Sequence, residues 1–210
     1  MIVQHGEKER QPGDLGLTDT GKAQAGVTAD WIVSMCRPAR IVSSPMRRAV
    51  ETAAPIASAT GLQLATDDRL RERMNWADDT RVSLDDFLAE WRQSSSDRTF
   101  VPGSGDSSEQ AAERFLDALR EFVAKAADDD DIIVVAHGGV TVDCLRTLVG
   151  DERLEREQPD LISNGVPCCA VTELLWGGSD WDVRLPSTAH LTHAVEHRPA
   201  YARRRSQHGG

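Results

Sequence analysis

The 210-residue chain has few cysteines, a single tyrosine, no long apolar run and no excess of positive charge. Its four cysteines, Cys36, Cys144, Cys168 and Cys169, form no CxxC pair, so their spacing indicates neither a disulfide framework nor a zinc site. They are read as reduced thiols of a cytoplasmic protein. No stretch approaches the ~18 apolar residues of a membrane span. The opening Met1-Ile2-Val3-Gln4-His5 has no basic segment followed by an apolar one, so no signal peptide is expected. Net charge is -10, from 34 acidic and 24 basic side chains. That balance argues against bulk nucleic-acid binding. Neither nucleic acid nor membrane is expected as a partner, and oligomeric state leaves no signal.

What is present suits a globular α/β protein. Hydrophobic residues make up 40% and charged residues 28%, enough for a core beneath an ordinary surface. At roughly 150 residues per domain, the length predicts one domain, over 1–197. Residues 198–210, with Arg198, Arg203, Arg204 and Arg205, are read as a basic flexible tail. The negative charge gathers between Asp67 and Asp131, where 18 acidic residues face 9 basic ones. Such a run reads as a solvated helical surface.

Strand and helix signals alternate along the chain. Ile2 and Val3 form a short apolar opening. A helix is expected after Thr18, because Ala23, Val27, Trp31 and Ile32 recur near helical spacing. Arg40 to Ser43 reads as a strand. Ser44-Pro45 reads as N-cap and first position of a helix through about Ala59. Leu62 to Ala65 suggests a short strand, and residues 67 to 82 show no clear period. Leu84, Phe87, Leu88 and Trp91 predict an amphipathic helix, closed by a loop from Ser94 to Gly105. Ser107 with Gln110 has the form of a capping box, opening a helix with Phe115, Leu119, Phe122 and Val123 on one face. Ile132 to Ala136 is apolar throughout, as a central strand covered on both faces should be. A helix with Val142, Leu145 and Leu148 follows, then closing strands over 168–176 and 181–185 around Gly177-Gly178. The pattern predicts a three-layer α/β/α sandwich.

Two of these strands run into His-Gly, at His5-Gly6 and His137-Gly138. Ligand sites of open α/β sheets lie beyond the carboxyl ends of the strands, so both histidines fall where a site is expected. A glycine after each lets backbone approach a ligand closely.

These turns belong to a longer ordered pattern. Gln4-His5-Gly6-Glu7 resembles the Arg-His-Gly-Glu opening of the histidine phosphatase superfamily, the phosphoglycerate mutase-like proteins. Gly16-Leu17-Thr18 through Ala25 resembles the segment that follows. Ser43-Ser44-Pro45-Met46-Arg47-Arg48-Ala49 with Thr52-Ala53 is similar to the second motif. Leu70-Arg71-Glu72-Arg73 resembles the segment with the family's acidic residue, and Ala136-His137-Gly138-Gly139 the second histidine motif. Asn164-Gly165 and His190-Leu191 resemble weaker landmarks near the end. The resemblance implies a mixed, mainly parallel sheet flanked by helices, and a covalent phosphohistidine reaction with no metal or other cofactor. Residues 73–110 resemble the family's variable insertion over the pocket.

Each of these residues has a chemical reason to be there. His5 is the candidate nucleophile, since a neutral imidazole nitrogen is nucleophilic at pH 7 and nearby cations favour that form. Its other ring nitrogen needs an acceptor. Arg48 offers a planar fork of donors to phosphate oxygens, and its place in a first helical turn adds free backbone N–H groups. Gln4, Gly6 and Gly138 complete the expected phosphate site. His137 can donate to the transferring phosphoryl group. Glu72 is the candidate general acid and base. On the residue alone it reads as a surface glutamate paired with Arg71 or Arg73, and Asp67, Asp68, Asp78 and Asp79 lie nearby.

Position 4 departs from the family pattern, with Gln4 where the motif has Arg. Glutamine keeps two donors and loses the charge. Three readings follow: another cation (Lys8, Arg10, Arg47 or Arg73) reaches the pocket, a larger substrate gains binding away from phosphate, or the protein is a weakened homologue with a binding role. Within the family, Glu7-Lys8-Glu9-Arg10-Gln11 and Met74-Asn75-Trp76 differ from mutase patterns. The expected activity is therefore hydrolysis of a small phosphorylated metabolite, with mutase-like transfer as the alternative. Outside it, His190, His193 and His197 have spacings that suit a metal on one helical face. Gly103-Ser104-Gly105 lacks the pattern of a serine-hydrolase elbow.

Overall fold

A computed structural model describes residues 1–9, 11, 13–76 and 82–192. These form one mixed sheet of six strands in the order β3-β2-β4-β1-β5-β6. The strands are β1 (Ile2–Gln4), β2 (Pro38–Ser43), β3 (Leu64–Thr66), β4 (Asp131–Ala136), β5 (Val171–Trp176) and β6 (Trp181–Ser187). Neighbours from β3 to β1 pair in parallel, and β5 runs antiparallel to both β1 and β6.

Alternation along the central strands sorts the core into two layers, because successive side chains point to opposite faces. Ile2, Val42, Val134 and Ala136 face α4 (Ser108–Ala124) and α5 (Gly138–Val149) through Phe115, Leu119, Phe122, Val140 and Cys144. Val3, Ile41, Ile133 and Val135 face α1 (Asp19–Met35) and α2 (Arg47–Thr60) through Ala29, Ile32, Ala49, Ala53 and Ile56. Helices cover both faces, as a parallel centre requires. A third cluster packs Val142, Leu145, Leu154, Leu161 and Val183 beneath α6 (Asp151–Glu157), α7 (Leu161–Asn164) and the last strands.

Several expected ends hold. Thr18 caps α1 by accepting from the Gly21 N–H at 3.0 Å. Ser107 and Gln110 form the reciprocal capping box of α4. Others shift. Helix α2 begins at Arg47, with Met46 as N-cap and no side-chain cap bond. Ser44-Pro45 therefore does not open it; the Ser44 hydroxyl is engaged elsewhere. Helix α3 (Leu84–Ser96) runs past Ser94. Strand β5 begins at Val171, because the chain turns at Cys169 with φ at 55°. The expected tail, 198–210, lies outside the described residues. Among those described, no helix is long and apolar enough to cross a membrane.

Register places the site. Gln4 pairs with Ala136, and Ser43 with Val135. The next residues, His5, His137 and Ser44, thus emerge side by side at three adjacent strand ends. Two further bonds hold that edge, from His5 N–H to Ala136 C=O at 3.1 Å and from Ser44 N–H to Val135 C=O at 2.9 Å.

Candidate active site

His5 is held by its own neighbourhood. Its Nδ1 lies 2.8 Å from the Gly6 carbonyl oxygen. A carbonyl only accepts, so Nδ1 carries the proton and Nε2 keeps its lone pair. The Gly6 N–H donates to Thr52 Oγ1 at 3.0 Å, and Thr52 donates to the Arg48 carbonyl, tying this turn to α2. A side chain on Gly6 would meet the Gly21 carbonyl at 2.6 Å, and one on Gly21 would collide with the Glu7 carbonyl. Burial first, then the Arg48 charge, lowers the His5 pKa to about 3. The ring is neutral at physiological pH.

His137 is fully buried and held from another strand. Its Nε2 lies 2.7 Å from Ser44 Oγ. That oxygen also accepts from the Met46 N–H at 3.3 Å. Where the Ser44 hydroxyl donates to Nε2, the hydrogen sits on His137 Nδ1, a buried nitrogen with no hydrogen-bond partner among the described residues. Burial, Arg48 and His5 push the His137 pKa well below the usual histidine value. The two rings meet edge-on with centroids 5.3 Å apart.

Arg48, the second residue of α2, is 4% exposed and is the cation common to both histidines. Gln4 is 6% exposed, and its Oε1 has no partner among the described residues. Its Nε2 sits 3.4 Å from where a side chain on Gly138 would begin, so its amide packs against the start of α5. Glu72 is fixed to that same helix end. Its Oε2 accepts from the Gly139 N–H at 2.9 Å, and its Oε1 from Val140 at 2.8 Å and Arg73 at 2.9 Å. A carboxylate at a helix N-terminus satisfies otherwise orphaned donors and meets the favourable end of the dipole. Oε1 is saturated, whereas Oε2 retains a lone pair.

Other candidates separate from this group. Arg47 bonds Glu51 at 2.7 Å on an exposed face. Arg73 is buried against Asp143 at 2.9 Å. Of the four cations considered as replacements at position 4, Lys8 acts on His5, and Arg10 lies outside the described residues. Asp67 is tied to Arg69; Asp78 and Asp79 lie outside the described residues. His190 bonds Thr28 at 3.0 Å and stacks on Trp31, so it fastens the chain to α1. His193 and His197 lie outside the described residues. Gly103 and Ser104 line a cavity of about 80 Å³ with Met74, Trp76 and Phe87, away from the histidines. Asn164 and Gly165 line another of about 60 Å³ with Trp91, Ile162 and Gly139, beside the Glu72 anchor.

Residue reading missed Ser44, whose Ser-Pro context points to a helix cap. Arg71 and Arg114, whose charges reach His137, were given no place in the site either: Arg71 entered only as part of the motif around Glu72, and no local pattern marks Arg114.

Two neutral imidazoles, a buried arginine and two helix starts lie together at parallel strand ends, the kinds of group that suit phosphoryl chemistry. The sequence profile of the histidine phosphatase superfamily (branch 1) matches residues 1–188, and the chain belongs to that superfamily. Its enzyme class is phosphatase. It is 30% identical over 169 residues to the glucosyl-3-phosphoglycerate phosphatase of Mycolicibacterium vanbaalenii, covering 71% of this chain and 73% of that protein. It is 31% identical to the metal-independent phosphoserine phosphatase of Arabidopsis thaliana, covering 67% of this chain and 64% of that protein. Its fold superposes on a mycobacterial glucosyl-3-phosphoglycerate phosphatase solved with VO3, with a TM-score of 0.69, 26% identity and coverage of 88% and 96%.

Proposed function

We propose that the chain is a cytoplasmic, metal-independent phosphomonoesterase acting on a small phosphorylated metabolite through phosphohistidine on His5. The observation that carries this reading is the Nδ1 bond of His5 to the Gly6 carbonyl, which leaves Nε2 free and nucleophilic. Nε2 attacks phosphorus and the ester P–O bond breaks. Arg48, the Gln4 amide, His137 Nδ1–H and the Gly138 N–H share the charge on the phosphoryl oxygens. Glu72 Oε2 delivers a proton to the leaving alkoxide. It then takes one from water, which attacks the phosphohistidine; the P–N bond breaks and His5 is restored.

Rapid quenching with a ³²P-labelled substrate tests the covalent step. Acid-labile label on the wild type and none on His5→Ala is expected; label retained on His5→Ala would remove His5 as the carrier. A second reading, a weakened homologue with a binding role, is favoured by the uncharged Gln4, whose buried Oε1 has no partner among the described residues. Measured phosphate-ester binding without turnover would select it.

A further inference from the structure

Glu72 and Arg73 are consecutive and face different tasks. The Arg73 side chain is 3% exposed and the Asp143 side chain wholly buried, at 2.9 Å from each other. Arg73 also donates to Ser95 Oγ at 2.6 Å and lies over the Trp91 ring at 4.1 Å. Asp143 Oδ1 takes a second bond, from the Ser108 hydroxyl at 2.7 Å. The Arg73 carbonyl accepts from the Asp106 N–H at 2.8 Å. Side chain and backbone of Arg73 are thus both pinned. Desolvation offsets most of what a buried pair gains, so such a pair is poor evidence of a stabilising role. Its position suggests a different one. Asp143 lies one turn along α5 from Gly139 and Val140, the residues whose N–H groups hold the Glu72 carboxylate. One helix turn therefore supplies both the anion that fixes Arg73 and the donors that fix Glu72.

We propose that the Arg73–Asp143 pair is a positioning device for the Glu72 carboxylate, and that through Ser95 and Trp91 it joins α3 to proton delivery at the leaving group. This rests on Glu72 acting as general acid. Acid assistance demands placement within hydrogen-bond reach of the leaving oxygen, and a glutamate whose following residue is loose loses that placement.

The test uses kcat/KM, which reports phosphoryl transfer to His5, on two substrates. An alkyl phosphate needs its leaving oxygen protonated; 2,4-dinitrophenyl phosphate does not. Glu72→Gln sets the reference and is expected to lower the alkyl substrate by roughly 10²-fold or more, with far less effect on the aryl one. Asp143→Asn is expected to lower the alkyl-to-aryl ratio of kcat/KM about tenfold, and Arg73→Lys to restore less than half of that assistance relative to Arg73→Met. The paired variant Arg73→Met with Asp143→Leu removes both charges, so it keeps the test alive if the single variant does not fold. A folded variant that loses both substrates in equal proportion would overturn the inference, leaving the pair a purely structural contact. If Glu72→Gln itself lowers both substrates equally, the acid role of Glu72 fails, and the inference fails with it for that separate reason.

Discussion

His5 and His137 follow paired residues of neighbouring parallel strands, yet they are held in opposite ways. His5 is oriented by the carbonyl of the very next residue, His137 by a hydroxyl 93 positions away. Among the described residues, Nδ1 of His5 is tied and Nε2 left open; in His137 Nε2 is tied and Nδ1 left open. The locally held ring suits a nucleophile, whose geometry must survive two chemical steps. The ring held by tertiary contact suits a donor, whose work depends on the rest of the pocket being closed around it.

Breaking the proposed nucleophile should cost most. His5→Ala should lower phosphatase turnover by roughly 10⁴-fold or more, measured by phosphate release on an aryl phosphate. His137→Ala should lower it by about 10²–10³-fold, as losing an oriented donor does, while leaving His5 able to take label. Gln4→Arg acts beside both rings. By restoring a charge-assisted bond worth about 1.5–3 kcal/mol it should raise kcat/KM by roughly ten- to a hundredfold; no rise would mean that Gln4 does not limit phosphate binding. Ser44→Ala should reduce kcat only about tenfold, through loss of the one hydrogen bond that orients the His137 ring. An equal loss in labelling rate for a good leaving group would extend the effect of Ser44 to His5.

The same contrast has a pH signature. Both rings stay neutral in the fold, His5 down to about pH 3, while in the unfolded chain they take a proton below about pH 6.5. In that window the unfolded state binds more protons, so stability falls as pH drops. Each histidine contributes a slope of about 1.4 kcal/mol per pH unit. Urea midpoints between pH 7 and pH 4 should fall, and His5→Gln should flatten the slope.

Much of this arrangement was legible in the residues. Ile132 to Ala136 declared a buried central strand by being apolar on both faces, and the capping box at Ser107 declared its helix. Glu72 was distinguishable from its acidic neighbours by the motif around it. Its anchors, Gly139 and Val140, were not legible, because a carboxylate bound to a helix end 67 residues away leaves no periodic trace. Ser44 misled for a physical reason. Serine before proline is a good helix opener, but the register of β2 with β4 brings its hydroxyl to His137 first, and the helix waits until Arg47. Arg73 looked available to the pocket because charge is visible in sequence and burial against Asp143 is not.

Gly6 and Gly21 meet backbone to backbone where neither has room for a methyl group. In a saturation library scored by activity, position 21 would therefore appear as intolerant as position 5, although its only task is to let two segments touch. Only a screen that reads folding and turnover separately would tell a seam in the scaffold from a participant in the chemistry.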